Sequence, residues 1–363
     1  MEILIAQPYL VTYGGAEKFV LKLAQHYDAK VSVVKYDPKR TYGEFKNVDI
    51  IQEGKFLSNF KLGAYYWNLK VPWNYDLIIS NLAPSDLIRN NNSPVLCFIH
   101  NYKKGLLEPF QLGIPFRSRF SYFIGNMGYR FLLSKLTNKF EVVATNSNYN
   151  KQILKTQLHR KDIEVVHPGV ELNDYYNNDY DNYFLFVGRL DPQKRIELAI
   201  RAYKGFYTKN KKFKLVLVLS GSAADTYFDK IKKEIGLNKN IKMLWNVNSS
   251  KLKEIYANAT AILFTSKNES FGLVPIEAMA SYKPIIAFNE GGPKETIVNG
   301  QTGFLVDSVE DMAQKMNFLA ENPSIVEEMG KEARKHVERE FSWQVFFKKF
   351  DRLIYKAYKA KEK

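Results

Sequence analysis

Short apolar runs alternate with amphipathic stretches along almost the whole chain, and no other feature of the sequence restricts its fold so strongly. EILIAQ (2–7), KVSVVKY (30–36), DLIIS (76–80), PVLCFI (94–99), EVVAT (141–145) and IEVVH (163–167) read as strands, with helices between several of them, such as AEKFVLKLAQHY (16–27). The stretch VELNDYYNNDYDNY (170–183) is polar and without periodicity, as a linker would be. After it the alternation resumes in YFLFVGR, KRIELAIRAYKGF, KFKLVLVLSG, TYFDKIKKEIG, NIKMLW, SSKLKEIYANA and TAILFTS. Repeated strand–helix units require parallel sheets covered by helices, because parallel neighbours must be joined by a crossover. A chain of 363 residues is long for one core. The expectation is an N-terminal α/β domain over 1–169, a linker at 170–182 and a second α/β domain over 183–341, with a cleft between them. The run WQVFFKKFDRLIYKAYKA, within 342–363, reads as a long amphipathic helix.

Charge and cysteine content narrow the partners. Cys97 is the only cysteine, so no internal disulfide forms, which fits a reducing compartment such as the cytoplasm. MEILIAQPYLV reads as a first strand and not as a signal peptide. No stretch approaches 18 uninterrupted apolar residues, so no membrane-spanning helix is expected. The net charge of +15 is uneven, with 11 Lys/Arg against Glu108 and Glu141 over residues 101–161. Nucleic acid or an anionic membrane surface answers to such an excess, and no nucleic-acid module is recognisable. Within it, Phe116, Phe120, Phe123, Met127 and Phe131 recur at helical spacing beside Arg117, Arg119, Arg130, Lys135 and Lys139. That pattern suits a basic amphipathic helix on the inner face of a membrane, or an ordinary core-facing helix; Gly125 and Gly128 weaken either helix.

The chemistry gathers at strand ends, where open α/β sheets bind ligands. In NESFGLVPIEAMA (268–280), Glu269 leaves the apolar run TAILFTS, and Pro275 suits the first position of a helix that would carry Glu277 in its first turn. Two carboxylates there accept hydrogen bonds from hydroxyls, while the helix start favours phosphate. The alternative is a loop glutamate and a glutamate favoured by the helix dipole. In FVGRLDPQKRIELAI (186–200), Arg189 and Lys194 follow a strand and would neutralise a diphosphate leaving group, unless the loop is merely solvated. In YGGAEKFV (13–20), Gly14 and Gly15 open a helix whose amides could hold a phosphate; the spacing lacks G-x-G-x-x-G, and a tight turn is the other reading. His100 ends the strand in CFIHNY and is either a packing residue or a functional one. DYD (179–181) reads as a turn rather than a metal motif.

Taken in order, GGAE (14–17), FIHN (98–101), TNSNYNKQIL (145–154), VVHPGV (165–170), VGRLDPQK (187–194), ESFGLVPIEAMA (269–280) and FNEGGPKETIVNGQTGFLV (288–306) resemble glycosyltransferase family 4, the retaining GT-B enzymes. The resemblance implies two Rossmann-like domains with an interdomain cleft and a C-terminal helix, 342–363, crossing back to the N-terminal domain. It implies a nucleotide-sugar donor, with Arg189 and Lys194 on the diphosphate, Glu277 on the ribose and Glu269 on the transferred hexose. Backbone amides at Phe271, Gly272 and Leu273 would lie near sugar and phosphate, Gly14 and Gly15 would close the site, and His100 would line the sugar pocket. It implies no metal, no cofactor and no enzyme nucleophile. VGRLDPQKR with PGV upstream looks most like enzymes passing mannose from GDP-mannose to lipid-linked or polysaccharide acceptors. The rivals are a nucleotide-sugar epimerase, a phosphorylase (whose pyridoxal phosphate motif is not seen) and a non-catalytic nucleotide-sugar-binding subunit.

Overall fold

The computed structural model describes residues 1–52, 75–81, 85, 93–100, 128, 131–208, 210–221 and 226–361. The chain divides into two compact units, Met1–His167 together with Phe347–Lys363, and Pro168–Phe346.

In the first unit the strands are β1 (Ile3–Ala6), β2 (Tyr9–Leu10), β3 (Lys30–Val33), β4 (Lys35–Tyr36), β5 (Ile50–Gln52), β6 (Leu77–Asn81), β7 (Val95–Ile99), β8 (Val142–Thr145) and β9 (Ile163–Val165). Seven of them form a sheet in the order β5-β3-β1-β6-β7-β8-β9, and every neighbouring pair is parallel. β2 and β4 pair separately. The chain builds outward from β1 in one direction and then the other, so a topological switch point lies between β1 and β6. β1, β6 and β7 are buried along their whole length, which is why β1 and β7 read as unbroken apolar runs and β6 as an apolar run closed by Ser80 and Asn81. Helix Gly15–Tyr27 buries Phe19, Val20 and Leu23. The last helix, Trp343–Lys361, belongs to this unit from Phe347 onward. Here Phe347 stacks on His26 at 3.6 Å, the Tyr27 hydroxyl donates to Asp351 at 2.8 Å, and Phe350 is buried against Phe19 and Phe98.

In the second unit the strands are β10 (Asp181–Arg189), β11 (Lys214–Ser220), β12 (Ile241–Trp245), β13 (Ala259–Phe264), β14 (Ile285–Phe288) and β15 (Gly303–Val306). Their order is β12-β11-β10-β13-β14-β15, again parallel throughout. Side chains alternate between two cores. Phe184, Phe186, Leu215 and Leu217 enter one, and Leu185, Val216, Val218 and Ile262 enter the other. The switch point falls between β10 and β13, so the loops leaving those two strands become neighbours.

Two local expectations change. Residues 170–182 are packed into the second unit rather than strung out as a linker. Val170 and Tyr175 are buried in its core, and the strand β10 has begun by Asp181. The helix carrying Glu277 is Leu273–Ala280, so Pro275 is its third residue and Glu277 lies in its second turn. Proline is tolerated there because amides of the first helical turn have no intrahelical acceptor to lose. Of the basic aromatic segment 116–139, residues 116–127, 129 and 130 lie outside the described residues; Phe131 is 60% exposed.

Candidate active site

The second unit's site grows from the loop after β10. Asp191 accepts a hydrogen bond from Gln193 N and caps a short 3-10 turn, Pro192–Lys194. The chain then passes through Arg195 in the left-handed region, at φ +47°, before helix Ile196–Tyr207. A non-glycine residue is held there only if its surroundings over-determine it. Arg195 Nε donates to the Thr265 carbonyl at 2.6 Å, its guanidinium pairs with Glu290, and it lies 4.8 Å from the Phe288 ring centroid. The Thr265 hydroxyl reaches the carbonyls of Lys194 at 2.6 Å and Arg195 at 3.0 Å, and Lys267 N donates to Gln193 O at 2.8 Å. Three strand-end loops are thereby joined by one arginine and one threonine. The product of this geometry is an ion pair: Lys194 Nζ lies 2.5 Å from Glu269 Oε2, with the side chains 18% and 24% exposed. Arg189 does not join it. Its side chain is 71% exposed and lies 3.5 Å from Asp191.

Glu269 is also fixed from beneath. Gly292 N donates to the Glu269 carbonyl at 2.8 Å. A Cβ on Gly291 would come within 2.6 Å of that same carbonyl oxygen, and one on Gly292 within 2.4 Å of Phe271 Cα. The paired glycines of FNEGGP therefore let one loop lie directly on the backbone of residues 269–271. Phe271 turns its ring into the core against Phe341, so only its backbone remains to serve a ligand. Gly272 caps the helix that starts at Leu273, whose first amides face outward along the axis. Glu277, half-buried, accepts a 3.1 Å hydrogen bond from the Tyr256 hydroxyl. Tyr256 is fully buried, and burial, reinforced by the Glu277 charge, raises its pKa well above the usual value of 10.0, so it acts only as a neutral donor.

In the first unit, Gly14 caps helix Gly15–Tyr27 in extended conformation. A Cβ there would lie 2.4 Å from Glu17 Oε2, whose partner oxygen accepts from the Thr12 hydroxyl at 2.6 Å. His100 stands at the end of a polar relay across β1, β6 and β7. Gln7 Nε2 donates to the Tyr9 carbonyl at 2.9 Å; Asn81 Nδ2 donates to Gln7 Oε1 at 2.7 Å; Asn81 Oδ1 lies 2.7 Å from His100 Nε2. A backbone carbonyl only accepts, so each link is forced, and His100 must carry its proton on Nε2 and a lone pair on Nδ1. Burial lowers its pKa from 6.5 to about 4, so it is neutral at physiological pH.

DYD holds a lysine. Lys283 Nζ, on a side chain with no exposed surface, donates to Asn177 Oδ1 and, at 2.5 Å, to the Asp179 carbonyl, and lies 3.7 Å from the Tyr180 ring centroid. Sequence reasoning missed Tyr256, Arg195, Thr265, Glu290, Gln7 and Asn81. For Gln7 and Asn81 a signal existed, a polar residue at the carboxyl end of an otherwise largely apolar buried run. For the others it did not, since their partners are distant along the chain.

Two family profiles match, end to end. "Glycosyltransferase Family 4" covers residues 13–174 and "Glycosyl transferases group 1" covers residues 172–336. The chain belongs to the family 4 glycosyltransferases. Among curated relatives of this family 4 chain, the α-1,3/1,6-mannosyltransferase ALG2 of Dictyostelium discoideum is 27% identical over 61% of this chain and 53% of the relative. Trehalose synthase of Thermococcus litoralis is 36% identical over 43% of this chain and 39% of its own. The chain thus spans about half the length, or less, of such relatives. Solved structures share its fold over nearly every residue. Sucrose-phosphate synthase of Thermosynechococcus elongatus matches with a TM-score of 0.79 at 18% identity, covering 99% of this chain and 100% of that one. Anabaena HepE, in complex with UDP and glucose, matches with a TM-score of 0.77 at 19% identity, covering 98% and 99%. The family 4 chain is therefore GT-B in fold, with two Rossmann-like parallel sheets. Among the described residues, no helix is long and apolar enough to cross a membrane.

Proposed function

We propose that this protein transfers a hexose, mannose being favoured, from a nucleoside-diphosphate sugar to a hydroxyl of a lipid-linked or polysaccharide acceptor, with retention at the anomeric carbon. The observation that carries the reading is the Lys194–Glu269 pair, set at the β10/β13 switch point by the Arg195–Thr265–Glu290 clamp. A cation and a carboxylate held together at strand ends suit a ligand with phosphate beside sugar hydroxyls.

In this reading Lys194 and the more exposed Arg189 neutralise the diphosphate. Glu269 accepts hydrogen bonds from the hexose, and Glu277, aimed by Tyr256, accepts them from the ribose. Amides at Phe271, Gly272 and Leu273 add dipoles toward the phosphate. From the first unit, His100 offers Nδ1 as an acceptor for a sugar hydroxyl, and the Gly14–Gly15 turn offers amides. The bond from the anomeric carbon to the diphosphate oxygen breaks, and its electron pair leaves with the diphosphate. The acceptor oxygen forms its bond on the same face, and its proton passes to the departing diphosphate. Catalysis is then charge stabilisation and positioning, without an enzyme nucleophile. Metal-independence belongs to the same proposal: the two cations take the neutralising role. A panel including GDP-mannose and UDP-glucose, tested for protection against thermal unfolding and for acceptor-dependent release of nucleoside diphosphate, tests the reading. Protection by none of the sugars, or release without acceptor, overturns it; the latter favours an epimerase.

The identity with a mannosyltransferase supports mannose. The basic excess over 101–161, with Phe131 exposed and the Lys135 ammonium 4.5 Å from its ring centroid, supports docking on an anionic membrane. Residues 101–127, 129 and 130 of that stretch lie outside the described residues. Co-sedimentation with anionic vesicles, weakened by salt, is the expected result; no binding at low salt defeats that part.

A further inference from the structure

The charges at the β10/β13 switch point cancel one against one. Lys194 pairs with Glu269 and Arg195 pairs with Glu290. Arg195 is bound in place by its hydrogen bond to the Thr265 carbonyl and its contact with Phe288. Lys194 is held at its backbone, through the Thr265 hydroxyl, while its flexible stem ends at Glu269. A diphosphate arriving here meets two cations that are each already paired, and the exposed Arg189 beside them lies 3.5 Å from Asp191. One cation must leave its carboxylate, and Lys194 is the one whose head group is free to swing.

We propose that Glu269 competes with the diphosphate for Lys194, and so weakens the protein's hold on bare nucleoside diphosphate relative to the intact nucleotide sugar. The inference rests on the reading of this site as a nucleotide-sugar site. When the nucleotide sugar binds, hexose hydroxyls replace the ammonium as donors to Glu269, and its carboxylate stays satisfied. When nucleoside diphosphate binds alone, Lys194 turns to the phosphate and nothing replaces it. A partly buried carboxylate is then left without its cation beside an anion, which is costly. Glu269 cannot retreat, because its backbone is fixed by Gly292 N and covered by Gly291. The same carboxylate that holds the sugar thereby helps expel the product once the sugar has gone.

Calorimetric binding of GDP and of UDP to wild type, Glu269→Gln, Lys194→Ala and the double variant tests this, with thermal unfolding as the check on folding. Glu269→Gln should bind the preferred nucleoside diphosphate roughly tenfold more tightly than wild type, the scale of one charged hydrogen bond. It should bind the matching nucleotide sugar more weakly. Glu269→Ala should shift both in the same directions, so a single poorly folded variant does not decide the outcome. The tightening should shrink when Lys194 is absent, since no cation remains to be released. Unchanged or weaker nucleoside diphosphate binding in both Glu269 variants overturns the proposal. Equal tightening with and without Lys194 also overturns it, because direct repulsion would then be the whole effect. Failure of wild type to bind either nucleotide or its sugars sinks the functional reading itself, a different result from any of these.

Discussion

The Tyr256 hydroxyl points its hydrogen at Glu277 Oε2 across 3.1 Å, from a side chain with no exposed surface. Tyr256 lies in helix Ser249–Asn258, ahead of β13, and Glu277 lies in the helix that follows the strand. The hydroxyl holds the carboxylate in one rotamer and leaves its other oxygen to a ligand. Tyr256→Phe keeps the packing and removes the donor. Nucleoside diphosphate should then bind about threefold to tenfold more weakly, less than the loss on Glu277→Ala, which removes the acceptor itself. Calorimetry on the two variants checks the order; equal affinity in Tyr256→Phe and wild type removes the tyrosine from this role.

Gly291 has a φ of +68° and no room for a Cβ against the Glu269 carbonyl. Gly291→Ala should cost about 1–3 kcal/mol of stability, because the strained conformation and the backbone contact act together. Relief of that contact moves Glu269. Sugar transfer should therefore fall by at least about tenfold at temperatures where the variant is still folded, since small misplacements are magnified in rate. Full turnover in a destabilised variant would separate the glycine's packing from the site.

The strands were legible because a parallel sheet buried on both faces favours apolar residues along each strand, as in β1, β7 and β14. The positions of Lys194 and Glu269 were legible for the same reason, since each follows such a run. The clamp that sets them was not. Arg195 and Glu290 are 95 residues apart, and no local pattern announces the bond between them. Pro275 misplaced its helix start because proline fits any residue of a first turn. The Asn/Asp/Tyr-rich stretch 170–183 looked solvated, yet it packs Tyr175 inward and supplies the acceptors for Lys283.

That lysine carries a pH prediction. Burial pushes Lys283 down from 10.5 to about 7, with Asp179 and Asp181 partly opposing. As pH falls below the unfolded value, the unfolded chain takes up a proton that the folded one refuses until near pH 7. Stability should therefore decline as pH is lowered through this window and level off below it, with a slope approaching about 1.4 kcal/mol per pH unit from this group. Lys283→Met removes the titrating group and leaves two acceptors without their donor. Its denaturation midpoint should be lower than that of wild type at pH 9.5, and the gap should narrow toward pH 7.5. Parallel pH dependences for the two proteins would show that Lys283 keeps an ordinary pKa.

The relay ending at His100 makes the last prediction. In wild type the imidazole, lowered to about 4, stays neutral from pH 5 to 8, and no step in turnover over that range belongs to it. Asn81→Asp replaces an amide oxygen with a carboxylate against Nε2–H. An opposite charge at hydrogen-bond distance raises a histidine pKa by about 1–3 units, which brings His100 toward its ordinary range. Below that raised value Nδ1 is protonated and can no longer play the proposed part of acceptor for a sugar hydroxyl. Turnover of the variant should therefore fall as pH drops from 8 to 5, whereas the wild type shows no fall from this group. Imidazole NMR titration gives the pKa directly, and His100→Gln in the Asn81→Asp background should abolish the pH step. An unshifted imidazole resonance in folded Asn81→Asp would mean that Nε2 does not face residue 81 in solution, and the tautomer assignment would go with it.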